Sequence, residues 1–509
     1  MPTYLKSLLI LPLIAFLSSC SNNTSQSNDD AETGKELANQ YCKSCHQLPL
    51  PNQLTKELWR DHVLPQMGYF MGIYPNDTFR QSLLKDLDGG ERLKQAGIYP
   101  EQALISKDDF AKISAYFIKE APEKFEIPTH PRRKATALFT SLYPNNTFSP
   151  PSTTLIRFNS NGGLFFGDAH TKQFLELKSD RSIKIAAELE EGAVCAEVSD
   201  DFVYVTVMGS FSPTDAALGM LVKLPLKGND GAELVLDQLQ RPVHSAIADF
   251  NQDGYKDFVV SEFGKFTGGL NIYFGSSDGK YTKQTLWQKP GAVKTYVKDM
   301  NKDGLPDIVA LFAQADEGID IYYNKGKNQF ERNRVLSFPP GYGSSAFHLI
   351  DFDQDGDDDI IYTGGDNADF KNIPRPYHGI YMFKNDGKNQ FEQSFFYYLN
   401  GAYDARLIDF DQDGDLDLAA ISFFPDFAKQ IDDGFVYLEN QGNFQFTPNT
   451  FDGVENGRWI LMDTKDYDQD GDEDIVLGSL VMQIAQDNGL VDRWINAGIP
   501  FVILENRLK

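Results

Sequence analysis

Five nine-residue stretches place side-chain oxygens at the same positions, and that spacing can hold a hard cation. They supply Asp249, Asn251, Asp253 and Asp257; Asp299, Asn301, Asp303 and Asp307; Asp351, Asp353, Asp355 and Asp359; Asp409, Asp411, Asp413 and Asp417; and Asp466, Asp468, Asp470 and Asp474. Each has Gly at its sixth position. Ca²⁺ takes six to eight oxygen ligands, and alternate carboxylates with a position-seven carbonyl on a sharp glycine turn supply most of such a shell. Carboxylates gathered this closely repel one another without an ion. One such stretch reads equally well as a solvated acidic turn; five with identical spacing point to about five calcium ions. An EF-hand is excluded, because position twelve is Val260, Ala310, Tyr362, Ala420 or Leu477 where a bidentate Glu is needed. A short β-type run such as Phe258-Val259-Val260 follows, so each acidic turn joins two strands.

A second constellation is Cys42-Lys43-Ser44-Cys45-His46 at the end of an amphipathic helix. Two thiols three residues apart share a helix face and can add to both vinyl groups of a haem, and the adjacent imidazole can then reach the iron. The alternatives are half of a zinc site, which lacks a second Cys/His pair nearby, and a redox dithiol, which has no use for His46. The surroundings resemble a class I cytochrome c domain, with a helix before the motif, Pro49 and Pro51 after it, and a closing helix over Lys107–Glu120 capped by Ser106. That resemblance implies covalent haem c on Cys42 and Cys45 and His46 as proximal ligand. For the sixth ligand Met67, Met71 and His62 are available. Met67 is favoured because Trp59, Val63, Met67 and Gly68 follow the ligand segment of such domains. An insertion, Ile73–Leu104, departs from the family pattern.

The acidic turns start 50 to 58 residues apart, a blade-sized period. Each is followed by an Ile-Tyr-type strand, such as Leu270–Gly275 or Gly379–Phe383. From about Ser245 onward the chain resembles the FG-GAP/VCBS repeat family, whose members form calcium-studded β-propellers. Two degenerate units precede the first acidic turn, one over 154–177 and one over 192–205, giving seven blades. The last unit, ending Phe501–Glu505, lacks a closing strand, and Ala135–Ser141 can supply it, which removes both sheet edges. The long excursions 364–378, 423–433 and 479–500 lie on the rim opposite the acidic turns. His244, Lys294, Tyr296, His348, Asp404, Arg406 and Asp463 share one side of the first strands and line a polar central channel. Cys195, flanked by apolar residues, reads as an inert buried thiol.

The 509 residues carry a net charge of −26, much of it in the acidic turns, and the acidic surface excludes nucleic acid as a partner. Residues 1–19 read as a signal peptide ending Leu17-Ser18-Ser19-Cys20, which resembles a lipoprotein cleavage box with Cys20 as the lipidated residue; ordinary secretory cleavage is the alternative. The expected order is a polar tether over 20–30, an all-α cytochrome c domain over 31–120, a linker over 121–133 and an all-β seven-bladed propeller over 134–509. The expected function is electron transfer in the bacterial cell envelope by a lipid-anchored protein held to the periplasmic face or outer surface through Cys20. Its propeller docks a redox partner protein or a polysaccharide. A propeller oxidoreductase or carbohydrate-active enzyme passing electrons to haem, and a surface adhesin, are the alternatives. No nucleophile-plus-base spacing appears, so an electron carrier is favoured over a catalyst.

Overall fold

The computed structural model describes residues 23–508 apart from 77, 86–88, 160–161, 190, 228–230, 315, 369–371 and 482–488, with side chains from residue 32. The signal peptide and Cys20 lie outside the described residues. The first helix runs Asn23–Tyr41. Residues 23–30 are therefore helical rather than part of a tether. They are Asn, Thr, Ser, Gln and Asp, mostly weak helix formers, and they extend a helix whose later turns pack on the closing helix. This helix crosses the closing helix Lys107–Glu120 at Gly34, where a Cβ would stand 2.2 Å from the Lys112 carbonyl oxygen and 2.9 Å from Tyr116 Cβ. Ser106 caps the closing helix by accepting the Asp109 N–H at 3.0 Å. Ile113 and Phe117 bury its inner face against Leu58, Trp59 and Leu64.

From residue 134 the chain is built of strands. Seven antiparallel sheets follow in order, spanning 153–188, 193–239, 242–287, 292–337, 344–398, 402–450 and 459–506. The second strand of each of the last five blades is buried along its whole length, as in Ile308–Phe312, because both of its faces pack against neighbouring sheets. A fourth strand such as Tyr281–Trp287 has no fully buried residue. This is an all-β seven-bladed propeller.

The ring closes by pairing Phe139–Leu142 with Phe501–Asn506, with Phe139 opposite Asn506 and Leu142 opposite Ile503. The closing strand is thus shorter than the Ala135–Ser141 expected. Lys134–Ala135 instead runs parallel beside Asn449 and Thr450 on the outer edge of the sixth blade. The two segments lie on different blades because the chain must step between them, and three residues intervene.

In all seven blades the pairing of first and second strands skips one residue after the first position, for example between Pro242 and His244 or Ala402 and Asp404. Such a bulge re-aims the side chains that follow it. Its repetition brings the third and fifth residues of each inner strand to the ring axis.

Candidate functional sites

The acidic turns fold as the spacing requires. Position four, an ordinary residue such as Gln252, Gln354 or Gln469, takes a positive φ of 58°, 60° and 66°, and the following glycines at position six do the same. The first aspartate accepts backbone N–H groups from positions five and six, as Asp249 does from Asp253 (3.0 Å) and Gly254 (2.8 Å). The ninth aspartate is fully buried and ties the turn to the blade's third strand. Asp257 accepts from Phe250 and Gly275 at 2.8 Å each, and Asp474 from Tyr467 and Asn506 at 2.8 Å each. Burial, reinforced by neighbouring aspartates, raises the carboxyls of Asp359 and Asp417 to about 6 and Asp474 to about 7.

These residues fit a cation. Oxygens of Asp351, Asp353 and Asp355 lie within 4.8 Å of one another, as do those of Asp409, Asp411 and Asp417 and those of Asp466, Asp468 and Asp474. Asp353 Oδ1, Asp357 Oδ1 and Asp415 Oδ1 are buried with no hydrogen-bond partner. The last two belong to position seven, where the sequence pointed only to a carbonyl. In the third turn the Lys384 ammonium bridges Asp353 and Asp355, taking the place a cation would hold.

In the helical part, Cys42 opens a short 3₁₀ turn, Cys42–Ser44, and Cys45 follows it; both are free thiols, Cys42 half-buried and Cys45 exposed. Burial, and then the neighbouring Cys45, pushes the Cys42 thiol up to about 11. His46 Nδ1 lies 2.7 Å from the Gln47 carbonyl oxygen. A carbonyl only accepts, so Nδ1 carries the proton and Nε2 presents its lone pair. Met67 and Met71 pack against the same core as Cys42, together with Trp59, whose indole N–H donates to the Pro51 carbonyl at 2.8 Å. Met67 lies on the helix Leu64–Phe70 and Met71 caps it. His62 sits in a π-turn, Trp59–Val63. Leu50 and Leu104 stay 55% and 60% exposed, the first four residues beyond His46 and the second donating its N–H to the Met71 carbonyl at 2.9 Å. Free thiols, an oriented imidazole, thioethers and uncovered leucines fit a haem. A cavity of about 550 Å³ that Leu50 also lines is edged by Glu32, Lys35, Lys119 and Glu120, whose charges do not suit the face of a haem.

This helical part is docked on the propeller. Lys289 Nζ donates to the Cys45 carbonyl at 3.3 Å, the Tyr377 hydroxyl donates to the Gln53 carbonyl at 2.6 Å, and Ile373 packs into the helical core. The insertion 73–104 joins in: Phe266 meets the rings of Phe70 and Tyr99 at 5.5 and 5.8 Å, and a Cβ on Gly89 would fall 2.6 Å from the Asp215 backbone. Every propeller residue in these contacts sits on a loop leaving the second strand or entering the first. The docked rim is therefore the one opposite the acidic turns. The segment 121–133 is fastened too, with Arg133 buried against Asp432 and Asp433 and His130 Nε2 3.0 Å from Asp433.

Around the ring axis, side chains reach from one inner strand to the next. Tyr296 lies 2.7 Å from His348 Nδ1, and His348 Nε2 lies 2.7 Å from Asp404 Oδ1, which also takes Arg406 at 2.6 Å. Despite its burial Asp404 stays ionised, because Arg406 and His348 hold its carboxyl well below the usual range. His348 Nε2 thus meets both the Asp404 carboxylate, which only accepts, and the Arg406 guanidinium, which only donates, while Nδ1 faces the Tyr296 hydroxyl. Burial, then Arg406, pushes His348 down to about 3. Asp463 accepts the Phe158 N–H at 2.9 Å. Of the channel residues expected, Tyr296, His348, Asp404 and Arg406 form one network; His244 turns to Thr295, 3.3 Å away, and Lys294 lies over the Tyr296 ring. Arg157, Glu197 and Cys195 were not among them, although they occupy the same third and fifth positions. The degenerate first two blades lack the acidic turn that would have marked the register.

Residues 249–310 and 299–362 match the model of the FG-GAP-like repeat. No curated protein matches in sequence. Similar solved structures include virginiamycin B lyase from Staphylococcus aureus, at 11% identity and TM-score 0.45 over 72% of this chain and 99% of that one. A streptogramin B lyase is 13% identical with TM-score 0.45, covering 74% and 100%; an ancestral GH74 enzyme is 9% identical with TM-score 0.45, covering 67% of this chain and 45% of that one. The protein is a seven-bladed β-propeller that carries FG-GAP-like repeats, with a small helical part docked on the rim away from its acidic turns.

Proposed function

We propose that the protein is a c-type cytochrome that exchanges electrons in the cell envelope, with a calcium-stabilised propeller as the platform for its haem module. The observation that carries this reading is the pairing of two free thiols, Cys42 and Cys45, with an imidazole whose Nδ1 is tied to the Gln47 carbonyl. A bound haem supplies one-electron exchange. Cys42 and Cys45 would tether it by thioethers, His46 would offer Nε2, and Met67 would offer its thioether from the helix Leu64–Phe70. The docked rim supports a partner site formed by helical module and propeller together, because Lys289 links the Cys45 backbone to Asp316 of the propeller. Attachment to the membrane through Cys20 belongs to the same proposal and is read by fractionation: Cys20→Ala protein recovered in the membrane fraction contradicts it.

Haem should remain with the polypeptide on a denaturing gel, and Cys42→Ser/Cys45→Ser protein should carry none. Stainable haem in that double variant ends the c-type assignment. In the ferric holoprotein, Met67→Ala should remove the weak long-wavelength absorption of thioether-ligated haem and lower the potential, while Met71→Ala keeps both. The reverse pattern moves the ligand to Met71.

A further inference from the structure

We propose that Cys195, Glu197 and His244 form a binding site for a thiophilic transition-metal cation, of which zinc is the type, at the axis of the propeller. Cys195 and Glu197 are the third and fifth residues of the second blade's inner strand, Ala193–Ser199, and His244 is the third residue of the next blade's, Pro242–Ala248. The bulge shared by both strands turns all three to one place. One ligand atom from each lies within 4.8 Å of the others. Ligands at 2.0–2.3 Å from a tetrahedral ion stand roughly 3.3–3.8 Å apart, so a small contraction closes the set.

The donor types decide which ion fits. Thiolate, imidazole and carboxylate are the three classes that bind zinc, and three protein ligands leave a fourth position for water or another small ligand. Calcium and magnesium are poor competitors, since only Glu197 offers the oxygen they require. Each donor has an outer partner. His244 Nδ1 faces Thr295 Oγ1 at 3.3 Å, which leaves Nε2 for the ion, and Glu197 Oε1 accepts from Arg157 at 3.0 Å. Cys195 Sγ has only a long contact, 3.6 Å, to the Ser245 carbonyl. Arg157 and Lys294 are the cations nearby, and their charge opposes a dication bound through oxygen alone, so the sulfur bond sets the affinity. Metal binding displaces the thiol proton and puts an ion where a buried SH, a half-buried carboxylate and a half-buried imidazole now meet.

The test uses the full-length, haem-loaded protein saturated with calcium, so that the acidic turns are occupied. After dialysis against Zn²⁺ and then zinc-free buffer, the protein should retain one zinc per chain by elemental analysis. X-ray absorption at the zinc edge should show one sulfur scatterer at about 2.3 Å. Cys195→Ser should lose the sulfur shell and the retained zinc, and Thr295→Val, which removes only the partner of His244, should weaken binding roughly 10-fold or more. Calcium-dependent melting of each variant in zinc-free buffer verifies that the ring is intact. Wild-type protein that retains no zinc, or retains it without sulfur, overturns the proposal. So does a sulfur shell that survives Cys195→Ser, which would put the metal on Cys42 and Cys45. Haem content is read separately, because chains without haem leave Cys42 and Cys45 as competing thiols and chains with it do not.

Discussion

Chelation with EGTA should lower the melting temperature of the propeller by roughly 10–20 °C and leave the absorption of the proposed haem unchanged below that transition. Each acidic turn brings side-chain oxygens together at positions one, three, five and nine, and like charges at that spacing repel. Asp353, Asp357 and Asp415 keep buried oxygens without partners, and only the third turn has Lys384 to offset its charge. An ion that binds the folded state alone stabilises it by about 2.7 kcal/mol at a hundred times its dissociation constant. Five turns bring the total to the order of 10 kcal/mol, as large as the whole stability of many domains. Asp353→Ala and Asp411→Ala should each reproduce part of the shift. The helical module is spared because its docking loops lie on the far rim. A melting curve that EGTA does not move would remove calcium from the fold's support, and joint movement of both transitions would mean the docked rim makes one cooperative unit.

Acid should destabilise the propeller through its buried imidazoles, and His348→Gln should blunt the effect. His348 is held near 3 by burial and by Arg406, and burial, then Arg375, holds His378 well below its ordinary value. Unfolded, both titrate near 6.5. Between pH 3 and 6.5 the unfolded chain therefore binds more protons at these sites, so stability rises with pH across that window and is lost as pH falls through it. For His348 the loss at pH 5 is at most about 2 kcal/mol, since its side chain is 15% exposed to the axis and water screens part of the penalty. The ninth-position aspartates act in the opposite sense in ion-free protein, because their raised carboxyls bind protons more readily folded than unfolded. The comparison is therefore wild type against His348→Gln, both in EGTA, by denaturant unfolding at pH 7 and pH 5. Equal pH slopes would show that His348 accepts a proton in the folded state.

The acidic turns were legible in the sequence because their chemistry is local. Nine consecutive residues set the oxygens, the glycine and the strand that follows, and no distant contact is needed to read them. Blade count and ring closure followed from the period and from a last unit short of one strand. The axis was legible only in part. Tyr296, His348, Asp404 and Arg406 could be placed by counting back from an acidic turn, but Arg157, Cys195 and Glu197 have no such turn after them. The bulge that puts third and fifth positions on the axis is a property of strand pairing and leaves no residue signature. The insertion 73–104 looked like a departure from a pattern until Phe70, Tyr99 and Gly89 were found against Phe266 and Asp215, residues more than a hundred positions away. A helix beginning at Asn23 was hidden because Asn, Thr, Ser and Asp are weak helix formers and only the turns after them pack on another helix.

The pairing of Phe139 with Asn506 also sets an order of events. As the chain emerges from synthesis, the thiols and imidazole near residue 46 are complete long before the sheet that closes the ring exists. Until Phe501–Asn506 is made, Phe139–Leu142 has no neighbour and the last blade presents a bare edge to any passing strand. Arg133 likewise waits for Asp432 and Asp433, some 300 residues downstream, before the segment joining the two parts is held. Contacts of such separation form slowly. Ending the chain before Phe501 should thus leave the Cys42–His46 segment intact on an unsealed and adhesive ring.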